Sequence, residues 1–239
     1  MPTGSSGGRT AVTADQLWAL IPAGWRAAID RILEAADLEL LATRLSSEPP
    51  SIVPTDRGQW FRALAVTPLD GVRAVILGQD PYPNPELAEG LAFSVPNGAR
   101  RVPPSLSRIL NEAKPKPTIV PGQTSLLPWA RRGVLLLNTA LTVPEGKAGG
   151  HGSIGWRPIT DAILRAVASQ PGPVVFMAWG AHARAAVRRA DIIDGQPHIV
   201  SASVHPMERR RSFIGSNPFG CVNDRLRDLR LEPIDWSLD

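Results

Sequence analysis

Four short apolar runs mark the chain: 72–77, Gly133 to Asn138, Val174 to Gly180, and His198 to Val204. Each is near-continuous rather than alternating, the pattern of strands buried on both faces in a parallel sheet. Helical spacing fills the stretches between them. Thr160 to Ala168 places Ile163, Leu164 and Val167 on one face, and Ala181 to Arg189 predicts a further helix. Ahead of the first strand, Thr13 and Gln16 fit a capping box for a short helix through Ile21. Trp25 to Leu45 reads as one amphipathic helix, with Ile29, Ile32, Leu33, Ala36 and Leu40 on its apolar stripe and Pro49-Pro50 closing it. A long proline-rich loop is expected from Pro81 to Pro104. Strands alternating with helices predict an α/β fold, a three-layer α/β/α sandwich around a central, mostly parallel four-stranded sheet. Residues 1–12, led by a Gly/Ser-rich stretch, read as a disordered tail, and 13–239 as a single domain.

The polar residues that end these runs carry the chemistry. Gln79-Asp80 follow the first strand, Asn138-Thr139 end the second, Gly180 ends the third and His205 follows the fourth. In open α/β sheets ligands sit beyond the carboxyl ends of the strands. If the strands are parallel, a carboxylate, a carboxamide and an imidazole converge on one crevice, with Asp80 held on stiff backbone by Pro81.

Composition narrows the class. The chain has 239 residues, 43% of them hydrophobic, enough for one large core. Its net charge of +4 is only mildly basic, although the pI is about 10.0 and nearly all the cations are arginine. On charge alone, nucleic-acid binding is only somewhat likelier than no such role. A solitary Cys221 excludes a disulfide framework and an iron–sulfur cluster. No apolar segment is long enough to span a bilayer, and the N-terminus lacks the apolar stretch of a secretion signal, so a soluble, reducing, cytoplasmic setting is expected. His151, His182 and His198 lack metal-ligand spacing and read as structural.

The segments Gly78-Gln79-Asp80-Pro81-Tyr82, Leu91-Ala92-Phe93-Ser94-Val95, Pro104-Ser105-Leu106, Leu136-Leu137-Asn138-Thr139 and His205-Pro206 resemble, in order and approximate spacing, family 1 uracil-DNA glycosylases. Gly155-Trp156, Trp179-Gly180 and Pro233-Ile234-Asp235-Trp236 add to the likeness, which runs from about Pro54 to Trp236. The resemblance implies an enzyme that breaks the N-glycosidic bond of deoxyuridine in DNA without metal or cofactor. It also implies a monomer.

Residue by residue, the resemblance implies that Asp80 stabilises the cationic sugar and orients water, and that His205 donates to the developing uracil oxyanion as a neutral imidazole. Asn138 would read the base by donating to O4 and accepting from N3–H. Phe93 would stack on uracil, although an aromatic in an apolar strand is ordinarily core. Tyr82 would crowd C5 against thymine, and the Gln79 backbone N–H would meet a uracil oxygen. Pro104, Ser105 and Gly180 would grip DNA phosphate. No lysine in these motifs could form a Schiff base, so strand nicking is not expected.

Departures from the family pattern carry their own expectations. Pro83 and Asn84 stand where the family often has histidine and glycine, and Ala181 replaces a serine. The loop after His205-Pro206 is shorter than usual and reads Met207-Glu208-Arg209-Arg210-Arg211-Ser212, in place of a leucine wedge. Met207, Arg209, Arg210 or Arg211 is expected to take over the wedge, with the others on phosphate, and a DNA-mimic inhibitor protein is expected to bind weakly or not at all. Two rival readings stay open: a glycosylase with altered base preference, and a protein that holds uracil or abasic sites with little turnover.

Overall fold

In the computed structural model, which describes residues 11–49, 51–113, 122–210 and 212–239, the four apolar runs pair as parallel strands. The elements follow in the order α1 (Ala14–Leu20), α2 (Ala23–Ile29), α3 (Ala35–Ser47), β1 (Ile52–Val53), α4 (Arg62–Val66), β2 (Ala74–Gly78), α5 (Pro104–Glu112), α6 (Leu127–Arg131), β3 (Val134–Asn138), β4 (Val143–Pro144), α7 (Trp156–Ala168), β5 (Val175–Trp179), α8 (Gly180–Arg189), β6 (Ile199–Ser203) and α9 (Pro218–Asp228). Single 3-10 turns occupy Arg57–Gln59 and Leu69–Gly71.

The main sheet runs β3-β2-β5-β6. Every residue of β2, β3 and β5 is buried, although β3 is an edge strand, whereas β6 at the opposite edge is partly open. Because side chains alternate along a strand, Phe176 and Trp179 point to opposite faces of β5. Phe176 meets the His198 ring, whose Nε2 bonds the Ala168 carbonyl at the end of α7. Trp179 instead packs edge-on against Phe213 and Phe219, with Trp129 of α6 and Trp236 beyond. These aromatic contacts fix α7 and α9 to the two sides of the sheet, giving the expected layers. His198 is structural, since its Nδ1 accepts from the Val174 N–H at 3.2 Å.

The capping box at α1 forms, with Thr13 Oγ1 accepting from the Gln16 N–H and Gln16 Oε1 from the Thr13 N–H, both at 3.2 Å. Residues 1–10 of the expected tail lie outside the described residues. Val12, placed in that tail by sequence, is buried and its N–H donates to Ser46 Oγ at 2.9 Å.

The single helix expected over Trp25 to Leu45 is two. Nine residues separate Ile29 from Leu38, two and a half turns, so a continuous helix would aim them at opposite sides. Breaking at 30–34 lets Trp25 and Ile29 face inward from α2, and Leu38, Leu41 and Leu45 from α3. Leu40, expected on the apolar stripe, is 46% exposed.

Between Gly78 and Pro104 there is no helix or strand, as expected of a proline-rich loop. Buried polar contacts give it fixed form. The Glu89 carboxylate accepts from the Ser94 hydroxyl, the Ser125 hydroxyl (2.8 Å) and Arg62 (2.9 Å), while Ser94 Oγ accepts from the Leu126 N–H. Asn97 Oδ1 accepts from the N–H groups of Thr124 and Ser125. A loop whose buried donors are satisfied this way can hold side chains as firmly as a strand.

Candidate active site

Parallel register brings the four strand ends to one edge of the sheet. Gly78 lies opposite Asn138, and Trp179 opposite Ser203, two residues before His205. Gly78 must be glycine here: a Cβ at that position would lie 2.1 Å from Asn138 Oδ1. The Asn138 side chain thus fills the space beside β2. It is 5% exposed, and its Oδ1 has no hydrogen-bond partner among the described residues. A buried acceptor without a partner costs free energy unless a ligand supplies a donor.

Asp80 follows directly from β2. Its carboxylate accepts from the Gly149 N–H, and Gly149 (φ +77°) passes close enough that an added Cβ would meet Gln79 Nε2 at 3.3 Å. Burial pushes the Asp80 carboxyl above its usual range, while the Gly149 N–H and the nearby His182 and His151 act to lower it. The Gln79 carbonyl is held by the Thr139 hydroxyl (3.0 Å) and the Ala140 N–H (2.9 Å).

Tyr82 and Phe93 form a second pair. The Tyr82 hydroxyl bonds the Phe93 carbonyl (3.2 Å) and Ser105 Oγ (2.9 Å), and burial pushes its pKa up to about 12. Leu91 to Val95 is a turn rather than a strand, and Phe93 sits at φ +63°, a left-handed conformation unusual for an aromatic residue. Strain of this kind persists where surroundings over-determine the backbone, and it clusters at functional sites. It turns the ring to within 6.1 Å of the His205 ring and 5.9 Å of Trp179, centroid to centroid.

Gly180 (φ +83°) lets β5 end against His205, whose Cβ would lie 2.9 Å from a Cβ at that position. His205 is half-buried, and its Nδ1 accepts from the Met207 N–H at 3.1 Å. With Nδ1 so occupied, the proton of the neutral ring resides on Nε2. Burial lowers its pKa, Glu208 opposing this and His182 adding to it.

Asp80, Gln79, Tyr82, Phe93, Asn138 and His205 therefore share one end of the sheet. Of the expected phosphate-binding residues, Pro104 is exposed at the first turn of α5, but Ser105 is buried with its hydroxyl against Tyr82. Met207, Arg209 and Arg210 are exposed, the N–H groups of both arginines donating to Glu208 Oε1, and Arg211 lies outside the described residues. A groove of about 830 Å³ runs beside them, lined by Gly180, Ala181, Arg184, His205, Arg210 and Ser216 among others.

Sequence reasoning missed several supporting groups. His182, read as structural, reaches Thr139 Oγ1 at 2.5 Å, and with Asp80, Arg157 and Arg189 it borders a void of about 20 Å³, room for one water. Arg108 holds the Pro206 carbonyl at 2.7 Å. Glu112, buried, accepts from the N–H groups of Gly215 and Asn217 and ties down the far end of the loop. Helical position hinted at His182 only weakly, because its partner Thr139 is remote in sequence.

Residues 65–229 match the sequence signature of the Uracil DNA glycosylase superfamily. The chain belongs to that superfamily. It is 43% identical over 226 residues, 90% of its length and 95% of the relative's, to a uracil-DNA glycosylase of Oleidesulfovibrio alaskensis. It is 47% identical over 184 residues, covering 76% of this chain and 75% of the relative, to one of Sinorhizobium medicae. Among solved structures, a mimivirus UNG variant in complex with UGI superposes with a TM-score of 0.81 at 26% identity, covering 95% of this chain and 92% of that one. That complex counts against the expectation of weak inhibitor binding drawn from the loop after His205.

Proposed function

We propose that this uracil-DNA glycosylase hydrolyses the N-glycosidic bond of deoxyuridine, releasing uracil and leaving an unnicked abasic site, as base-excision repair requires. The observation that carries the site assignment is the orphaned, buried Oδ1 of Asn138 at the same strand edge as a half-buried carboxylate and an imidazole with Nε2 free to donate.

As the C1′–N1 bond breaks, its electrons pass to uracil and positive charge develops on the sugar. Asp80 faces that cation, a stabilisation that strengthens because burial keeps water from screening it. His205 donates from Nε2 to the uracil oxyanion, a role worth about 2.7–4 kcal/mol for a well-aimed donor. Water, oriented by Asp80, adds to C1′ with its proton passing to the Asp80 carboxylate and from there, through solvent, to the uracil anion, which leaves as neutral uracil. Asn138 accepts from N3–H and donates to O4. Cytosine offers the reverse pattern, and such a mismatch can discriminate by roughly 10⁴–10⁵. Phe93 stacks on the base and Tyr82 closes the space a thymine methyl would need, while the Gln79 N–H meets a uracil oxygen.

The base must leave the duplex to reach these groups. Met207 is the residue we assign to fill its place, with Arg209, Arg210 and Arg211 on phosphate together with Pro104, the backbone at Ser105, and Gly180. The buried Ser105 hydroxyl supports Tyr82 rather than DNA. Uracil in single- or double-stranded DNA is the substrate, and the enzyme acts as a monomer in the cytoplasm.

The test is incubation with oligonucleotides carrying one uracil, thymine or cytosine, followed by alkali. Scission at uracil alone supports the proposal. Scission at another base indicates altered preference, and retarded mobility without scission indicates a protein that only holds DNA.

A further inference from the structure

A cavity of about 630 Å³ opens beside Tyr82, separate from the groove next to His205. Its walls come from the loop after β2, the segment around Pro96 to Arg101, and the entry to α5, with Met207 at one side. Tyr82 belongs both to this cavity and to the pocket assigned to uracil, and so does Ser105 through its bond to the Tyr82 hydroxyl. We propose that this cavity is a subsite for the nucleotide flanking the target uridine when the DNA is single-stranded, an inference that rests on the glycosylase reading above.

The chemistry of the walls fits a nucleotide. The volume falls in the range of small-ligand pockets, larger than one base alone requires. Leu87, Pro83, Pro96 and Pro103 give flat, rigid apolar surface against which a base can lie at little entropic cost. Arg100 and Arg101 outnumber the one carboxylate there, Glu86, so the lining carries net positive charge towards the adjoining phosphate. Continuity decides the occupant: a strand whose uridine lies against Phe93 and Tyr82 must leave past Tyr82, Pro104 and Ser105, which border the cavity. In a duplex the flanking base stays paired and stacked. In a single strand it is free to enter.

The test uses single-stranded oligonucleotides with one uracil in which the nucleotide on either side is replaced, in turn, by a base-free tetrahydrofuran residue. With the wild-type protein, KM should rise about five- to tenfold for replacement on one side, with kcat unchanged. Ala99→Trp, which fills the cavity, should bring KM on the unmodified single strand to that same raised value and abolish the difference. Both changes should leave KM on duplex DNA unaltered. A second variant, Arg100→Ala with Arg101→Ala, alters only exposed side chains, and should raise single-strand KM while flattening its salt dependence. The proposal is overturned if base-free neighbours on both sides leave KM unchanged, or if a folded Ala99→Trp protein handles single strands like wild type. Failure of the glycosylase reading would look different: no uracil release from any oligonucleotide, duplex included.

Discussion

The main-chain N–H of Met207 donates to Nδ1 of His205 at 3.1 Å, so one short turn ties an exposed loop residue to the tautomer of the imidazole at the strand edge. Protonating His205 would set two N–H groups against each other across that contact, and burial opposes the charge as well. The ring should be a neutral Nε2–H imidazole at pH 7, titrating below the ordinary histidine value of 6.5. Nitrogen-resolved NMR of the imidazole checks this, and a ring still charged at pH 7 would contradict it.

The same sign governs stability. His151, His182 and His205 all have depressed pKa values, with burial as the largest cause in each. Below about pH 6.5 the unfolded chain takes up protons that the folded one resists, so stability present above that pH is lost as pH falls. Asp80, shifted upward, works in the opposite sense only near the carboxylate range. Tm should therefore fall between pH 7.5 and 5.5, and by less in a His182→Gln variant.

Gly78→Ala should cripple base reading from a distance. The new methyl would lie 2.1 Å from Asn138 Oδ1 and 3.1 Å from Ala92 Cβ, so the carboxamide must swing away. Measured kcat/KM for uracil should drop by about 10²-fold or more with the fold retained, since one misaligned contact can cost that much. Asn138→Asp should shift preference towards cytosine.

Met207 is 43% exposed on the loop that Arg108 and Glu112 brace from below. Met207→Ala should lower uracil release from duplex by about tenfold or more, because extruding a paired base costs a few kcal/mol, and spare single strands. Equal losses on both substrates would remove Met207 from the wedge role.

His182→Ala should lose up to about tenfold in turnover, the worth of one hydrogen bond of about 0.5–1.5 kcal/mol, through the Thr139 hydroxyl that holds the Gln79 carbonyl. Glutamine, which can donate to Thr139, should restore most of it.

The strands and the site's strand-end residues were legible because parallel burial writes continuous apolar runs, and each run here ends in polar residues. The capping box was legible because it lies within four residues. The break between α2 and α3 was not, since Trp25 to Leu45 holds no internal proline or glycine stop, and the reversal shows only when Ile29 and Leu38 are phased against one core. The backbone at Phe93 was not legible beyond its place in a proline-rich loop, because nothing local announces a left-handed aromatic. Its conformation comes from Tyr82, eleven residues away, and from the β3 carbonyl of Leu136 that takes the Ala92 N–H. Contacts between distant segments likewise hid the inward turn of Ser105 and the placement of His182.

An Asp80→Asn protein separates a carboxylate that does chemistry from one that only grips DNA. Asparagine keeps the size and can still accept from the Gly149 N–H, so the fold and the site's shape should persist. Fluorescence anisotropy with a uracil-containing duplex should give a Kd close to wild type, while uracil release in a single turnover falls by about 10²–10⁴. A variant that releases uracil at the wild-type rate would remove Asp80 from the chemistry.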